Sequence, residues 1–99
     1  MTRQVSLSVN DVPINLDYFV HDYIDHVISG ILASLQGTGE IESLELYIDN
    51  EGQVTINLNN ADLSLKYFPN EIIKSTIMGM VSPLKGVSDV YRLQLNIKS

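Results

Sequence analysis

Val5, Leu7 and Val9 alternate with Gln4, Ser6, Ser8 and Asn10, the period-two pattern of a half-buried strand. Asn10-Asp11 can supply the positive φ values of a two-residue turn, after which Val12, Ile14 and Leu16 alternate again. This predicts a hairpin with a short second arm. Pro13 has no ladder donor, so the arm should lie on an edge or fray early. The period then changes. From Asp17, a suitable N-cap, the positions Phe19, Val20, Tyr23, Ile24, Val27, Ile28, Ile31, Leu32 and Leu35 form columns four apart. They predict a helix to about Gln36 with one wide buried face. Gly37 stands where a left-handed C-cap is wanted. Leu44, Leu46 and Ile48 then alternate with Glu45 and Tyr47 as a further strand. Ile41 is out of phase with them, so this strand starts late or carries a bulge.

The series returns 49 positions later with no insertion or deletion. Val5 falls on Val54, Asn10 on Asn59, Tyr18 on Tyr67, Phe19 on Phe68, Ile24 on Ile73, Ile28 on Ile77 and Leu46 on Leu95. Residues 1–49 and 50–99 therefore read as two copies of one unit within a single domain, and Asp49-Asn50-Glu51-Gly52 reads as the tight turn joining them. In the second helix Pro69 falls in the first turn, where a missing N–H is harmless. Pro83 would clash with the carbonyl of Gly79, so the helix should end or bend near Ser82. Gly30 and Gly79 are equivalent, and Ala33 and Ser82 follow three residues on. These small residues suggest a place where two helices cross closely.

The expected fold class is α+β: a two-layer α/β sandwich of hairpin–helix–strand, twice, with both helices on one face of a largely antiparallel sheet. The element order resembles the ferredoxin-like fold, a likeness of topology that carries no function. That fold places the first strand of each copy inside the sheet and leaves no room for the hairpin arms. Either residues 12–16 and 61–65 peel away, or the sheet has more than four strands.

Composition narrows the function classes. Ninety-nine residues with 44% apolar content suit one globular domain whose two halves share a core. The chain has no cysteine, which removes disulfides, thiolate chemistry and cysteine zinc sites. The sequence shows neither a signal-peptide pattern nor an apolar run of membrane-spanning length, so a soluble cytoplasmic protein with no membrane partner is expected. The net charge of −6 is unevenly spread: residues 1–49 carry Arg3 against eight carboxylates, and residues 50–99 are close to neutral. An acidic half argues against nucleic acid and suits a basic protein partner or a metal cation.

Candidate chemistry follows from spacing. His21, Asp22, Asp25 and His26 offer imidazole and carboxylate pairs four apart on one helix, ligand types suited to zinc or manganese. Four ligands from one helix cannot close around one ion, and the same spacing also gives two helix-stabilising His–Asp pairs. Gln36-Gly37-Thr38-Gly39 follows a helix instead of preceding one, so it is a C-cap and not a phosphate loop. No serine has a nucleophile-elbow context, and no catalytic motif is found. On the outer sheet face Ser6, Ser8, Tyr47, Thr55, Asn57, Gln94 and Asn96 are neutral hydrogen-bonding groups, with Glu45 the charged exception. These residues imply a non-catalytic interaction module, self-associating through that face and built as a fused pseudo-dimer. The alternatives are a metal-dependent enzyme or metal carrier using the His/Asp cluster, and a small polar ligand on the open sheet face.

Overall fold

A computed structural model describes residues 4–36, 41–63, 65, 67–84, 87 and 89–98. The C-cap expected at Gly37 and the loop through Gly39 lie outside these residues. The described elements are β1 (Gln4–Val9), β2 (Val12–Ile14), α1 (Tyr18–Gln36), β3 (Ser43–Ile48), β4 (Val54–Leu58), β5 (Ala61–Leu63), α2 (Tyr67–Val81) and β6 (Leu93–Lys98). The strands form one open six-stranded sheet in the order β2-β1-β6-β3-β4-β5, antiparallel throughout. The fold is α+β.

The alternation anticipated along the strands sets the two faces of this sheet. Val5, Leu7 and Val9 line up across the ladders with Ile97, Leu95 and Leu93, then with Leu44, Leu46 and Ile48, then with Leu58, Ile56 and Val54. All twelve are buried. They pack under a straight column from each helix, Ile24, Ile28 and Leu32 from α1 and Ile73, Ile77 and Val81 from α2. The residues between them on the strands face the uncovered side. The molecule is accordingly a slab of 33 × 33 × 19 Å, the thickness of one sheet and one helix layer.

The pairing pattern is symmetric about its centre. Val9 pairs with Val12 across Asn10-Asp11, as Leu58 pairs with Ala61 across Asn59-Asn60. All four turn residues have positive φ, from 52° to 68°, which is the backbone of a two-residue hairpin turn matched to strand twist. Val5 pairs with Ile97 as Val54 pairs with Ile48. In the central ladder Leu46 faces Leu95, its counterpart 49 positions on.

The ferredoxin-like order is corrected by this arrangement. There the first strand of each half would be central; here β3 and β6 are central, and β1 and β4 stand outside them. The reason is the hairpin arms. β2 and β5 remain bonded to β1 and β4 and occupy the two edges, so β1 and β4 must each keep one side for an arm. Pro13 pairs opposite Ser8, one position beyond the Val9–Val12 pair that closes the turn. At that non-hydrogen-bonded position its nitrogen points away from β1, so its missing N–H blunts the outer edge.

Two expectations about the helices also change. Phe19 and Tyr23 do not join the buried face of α1; they are 71% and 49% exposed. A helix resting on a flat sheet buries the Ile24–Ile28–Leu32 column with its half-buried neighbours Val20 and Ile31, and Phe19 and Tyr23 lie beyond that arc. Gly30 and Gly79 are not at a close helix crossing. A Cβ at either position would meet nothing within 4 Å. As anticipated, α2 ends at Val81, before Pro83, and β3 and β6 start late, at Ser43 and Leu93.

Candidate functional site

The seven polar positions expected on the outer sheet face are brought together there. Across the strands, Ser8, Gln94, Tyr47 and Thr55 form one row and Ser6, Asn96, Glu45 and Asn57 the next. Asn57 Nδ2 donates to Asp62 Oδ1 of β5 at 2.9 Å, extending the second row to the sheet edge. Tyr47 is exposed at the middle of the face. Formal charge lies at the ends of the strands, where Lys98 pairs with Ser43 and Gln4 and Arg92 stands just outside β6, and within the second row at Glu45 of β3 and Asp62 of β5. The Arg92 guanidinium donates to Asp11 Oδ2 through Nε at 3.1 Å and through a terminal nitrogen. This pairing holds the Asp11 carboxyl below the usual carboxylate range, the hydrogen bond from Arg92 being the main cause, and raises the guanidinium value further. Glu45 has Lys98 as its diagonal neighbour on β6.

The His/Asp cluster of α1 is placed differently. The helix opens on Asp17, whose Oδ1 accepts the Val20 N–H at 2.9 Å as an N-cap. One turn on, His21 turns toward the sheet, and the Val5 N–H donates to its Nε2 at 3.1 Å. An acceptor at Nε2 puts the ring proton on Nδ1, which lies 3.4 Å from Asp22 Oδ1. His26 uses Nδ1 to donate to the Asp22 carbonyl at 2.8 Å. The two imidazoles are thus engaged separately, one with β1 and one with its own helix. Among the described residues, no three His, Asp or Glu side chains form a group able to hold a metal ion. For Nε2 of His21 to ligate a cation, it would have to release the Val5 amide.

Two asparagine roles were not legible from spacing. Asn70, 49 positions after His21, is buried and holds the start of β4 as His21 holds the start of β1. Its Oδ1 accepts the Val54 N–H at 2.8 Å and the Gln53 side-chain amide at 3.1 Å, while its Nδ2 donates to the Gly52 carbonyl. Asn10 and Asn59 tie each hairpin turn to the other half. Asn10 Oδ1 accepts the N–H groups of Tyr91 and Arg92 at 2.7 and 3.0 Å. Asn59 Oδ1 accepts those of Glu42 and Ser43 at 2.8 and 3.0 Å. These bonds hold the amides at the entry to β3 and just ahead of β6. The signal available in the sequence was the identity of Asn10 and Asn59 at the common offset.

Among the described residues, no helix is long and apolar enough to cross a membrane. No protein-family model, no curated protein and no solved structure matches the chain.

Proposed function

We propose that this chain is a small non-catalytic interaction module that self-associates through the open face of its sheet, and that it is itself a fused pseudo-dimer. The observation that carries the first part is the composition of that face: Ser6, Ser8, Tyr47, Thr55, Asn57, Gln94 and Asn96 share it, and both helices lie on the other side. Neutral groups that find partners are desolvated at small cost, and Glu45 on the central strand β3 is the one carboxylate among the central strands that such a contact would have to pair. A slab face 33 Å on each side exceeds the ~800 Å² per partner that a stable interface buries. A second copy suits it because the face carries both Glu45 and Lys98, so a twofold contact can oppose unlike charges.

The pseudo-dimer reading draws support from strand neighbours. β3 pairs only with β4 and β6, both from residues 50–99, and β1 pairs with β6 across the same divide. Neither half can complete its sheet from its own strands. Sedimentation velocity on the whole chain at tens of micromolar tests self-association. The wild type should sediment as a dimer, and Ser8→Lys with Asn57→Lys should give a folded monomer. A wild-type monomer under those conditions removes the proposal.

A further inference from the structure

β2 is too short to cover the whole of β1. Its last pair is Ile14 with Leu7, so the Val5 N–H, which points to the same side two residues back, has no strand partner on β2. The His21 ring takes that place, with Nε2 accepting the amide at 3.1 Å. β5 leaves the same gap on β4. Its last pair is Leu63 with Ile56, and Asn70 Oδ1 accepts the Val54 N–H at 2.8 Å. The two acceptors differ in one property. A carboxamide keeps its acceptor oxygen at every ordinary pH. An imidazole that takes up a proton at Nε2 becomes a donor at both nitrogens and has nothing left to offer an amide.

We propose that His21 is a proton-operated latch on the first strand: neutral, it holds the entry to β1, and protonated, it lets the Val5 amide go. The His21 side chain is 21% exposed, so solvent protons reach it. The charged groups around it come from three elements. On α1, Asp22 Oδ1 stands 3.4 Å from Nδ1, and Asp17 and Asp25 lie one turn before and one turn after. β1 and β2 contain no titratable residue. On β6, Lys98 pairs with Gln4 and belongs to the outer face of the sheet. Residues 1–3 lie outside the described residues. A protonated ring can donate to the Asp22 carboxylate, so leaving Val5 does not leave the imidazolium without a partner. The latch thus has two positions. Asn70 gives β4 no such device, so acid loosens the strand entry of one half and leaves the other in place. The proposal does not depend on self-association.

The test is amide and imidazole NMR on the whole chain, isotope-labelled, from about pH 8 to about pH 5. As the His21 ring takes up a proton, the Val5 amide signal should move with the same midpoint. Its exchange protection, corrected for the intrinsic rate, should fall about tenfold. Val54 is the control within the same molecule and should keep its protection throughout. His21→Asn copies the second half, so it should hold Val5 at both ends of the range and abolish the step while leaving His26 and the carboxylates in place. Three results would each overturn the proposal: a ring that stays neutral to the acid end, a Val5 amide that keeps its shift and protection as the ring protonates, or an equal step in His21→Asn. A loss of protection shared equally by Val5 and Val54 would overturn it as well, since the whole sheet would then be loosening.

Discussion

The two halves of this molecule hold their strands in the same way and present different surfaces. At the start of β1 the acceptor for the first core amide is an imidazole, His21, and at the start of β4 it is a carboxamide, Asn70. The backbone demand is the same, an acceptor for the amide of Val5 or Val54, and two side chains of different chemistry meet it. Asn10 and Asn59 are identical, and each Oδ1 accepts an equivalent pair of amides, because positive φ and two waiting amides leave few alternatives. Away from these points the halves part company. Asp11 is paired with Arg92, whereas the corresponding turn residue is Asn60, and the first half holds most of the carboxylates. What is common to both halves satisfies backbone and core; what differs is solvent-facing charge, and that is where a partner can tell them apart.

The comparison is broken most severely at its centre. Leu46 and Leu95 face each other there, each 1% exposed, and replacing either by Ala should cost about 2–5 kcal/mol. If the halves are energetically equivalent, the two losses in chemical denaturation will agree closely; a large gap between them would show that the pairing symmetry does not extend to packing. The strand-holding side chains come next. His21→Leu and Asn70→Leu each leave a strand amide without its acceptor, at about 1–3 kcal/mol, with the buried Asn70 the more costly. His21→Asn, which copies the other half, should lose clearly less than His21→Leu. Nitrogen-detected NMR should also find the His21 proton on Nδ1.

Smaller and opposite in sign is the effect at the helix glycines. Gly30 and Gly79 have open space around them, so Ala at either should stabilise by about 0.5–1 kcal/mol, visible in thermal melts. Equal gains in α1 and α2 would sharpen the comparison. The smallest effect is expected at Asp11, where the halves differ most plainly. Its carboxyl is lowered by the Arg92 hydrogen bond, so its contribution is present above the unfolded value of about 3.9 and is lost as pH falls through the lower folded value. Carbon-detected titration should show the Asp11 midpoint rising toward that value in Arg92→Gln. An unchanged midpoint would mean that the pair is not formed in solution.

Part of the candidate site was legible early. The outer-face positions followed from alternation alone, since Ser6, Ser8, Thr55, Asn57, Gln94 and Asn96 sit between core residues on strands whose other face is covered. The role of His21 is not local, because a polar residue flanking a helix's apolar arc can point to solvent or to a strand end. The bond that decides this runs to Val5, sixteen residues back. Asn10 bonds with Tyr91 and Arg92, more than eighty residues ahead, and nothing in its local sequence names those partners. Phe19 and Tyr23 belong to the apolar arc by hydrophobicity, but the contact of α1 with the sheet is too narrow to reach them, and no local pattern gives that width.

The amino-acid sequence by itself determined which segments become strand, turn and helix, and which side of each strand is apolar. Those choices depend on neighbours within a few residues: side-chain period, turn residues able to take positive φ, and capping at Asp17. The order of the strands was decided only by the assembled molecule. Each long strand offers a similar apolar face and an unsaturated edge on both sides, so local pattern does not say whether β1 or β6 should be central. The choice arises when all six strands compete for edges. β2 and β5 are tied to their hairpins and are too short to serve in the middle, so they take the outside and leave β3 and β6 to be flanked on both sides.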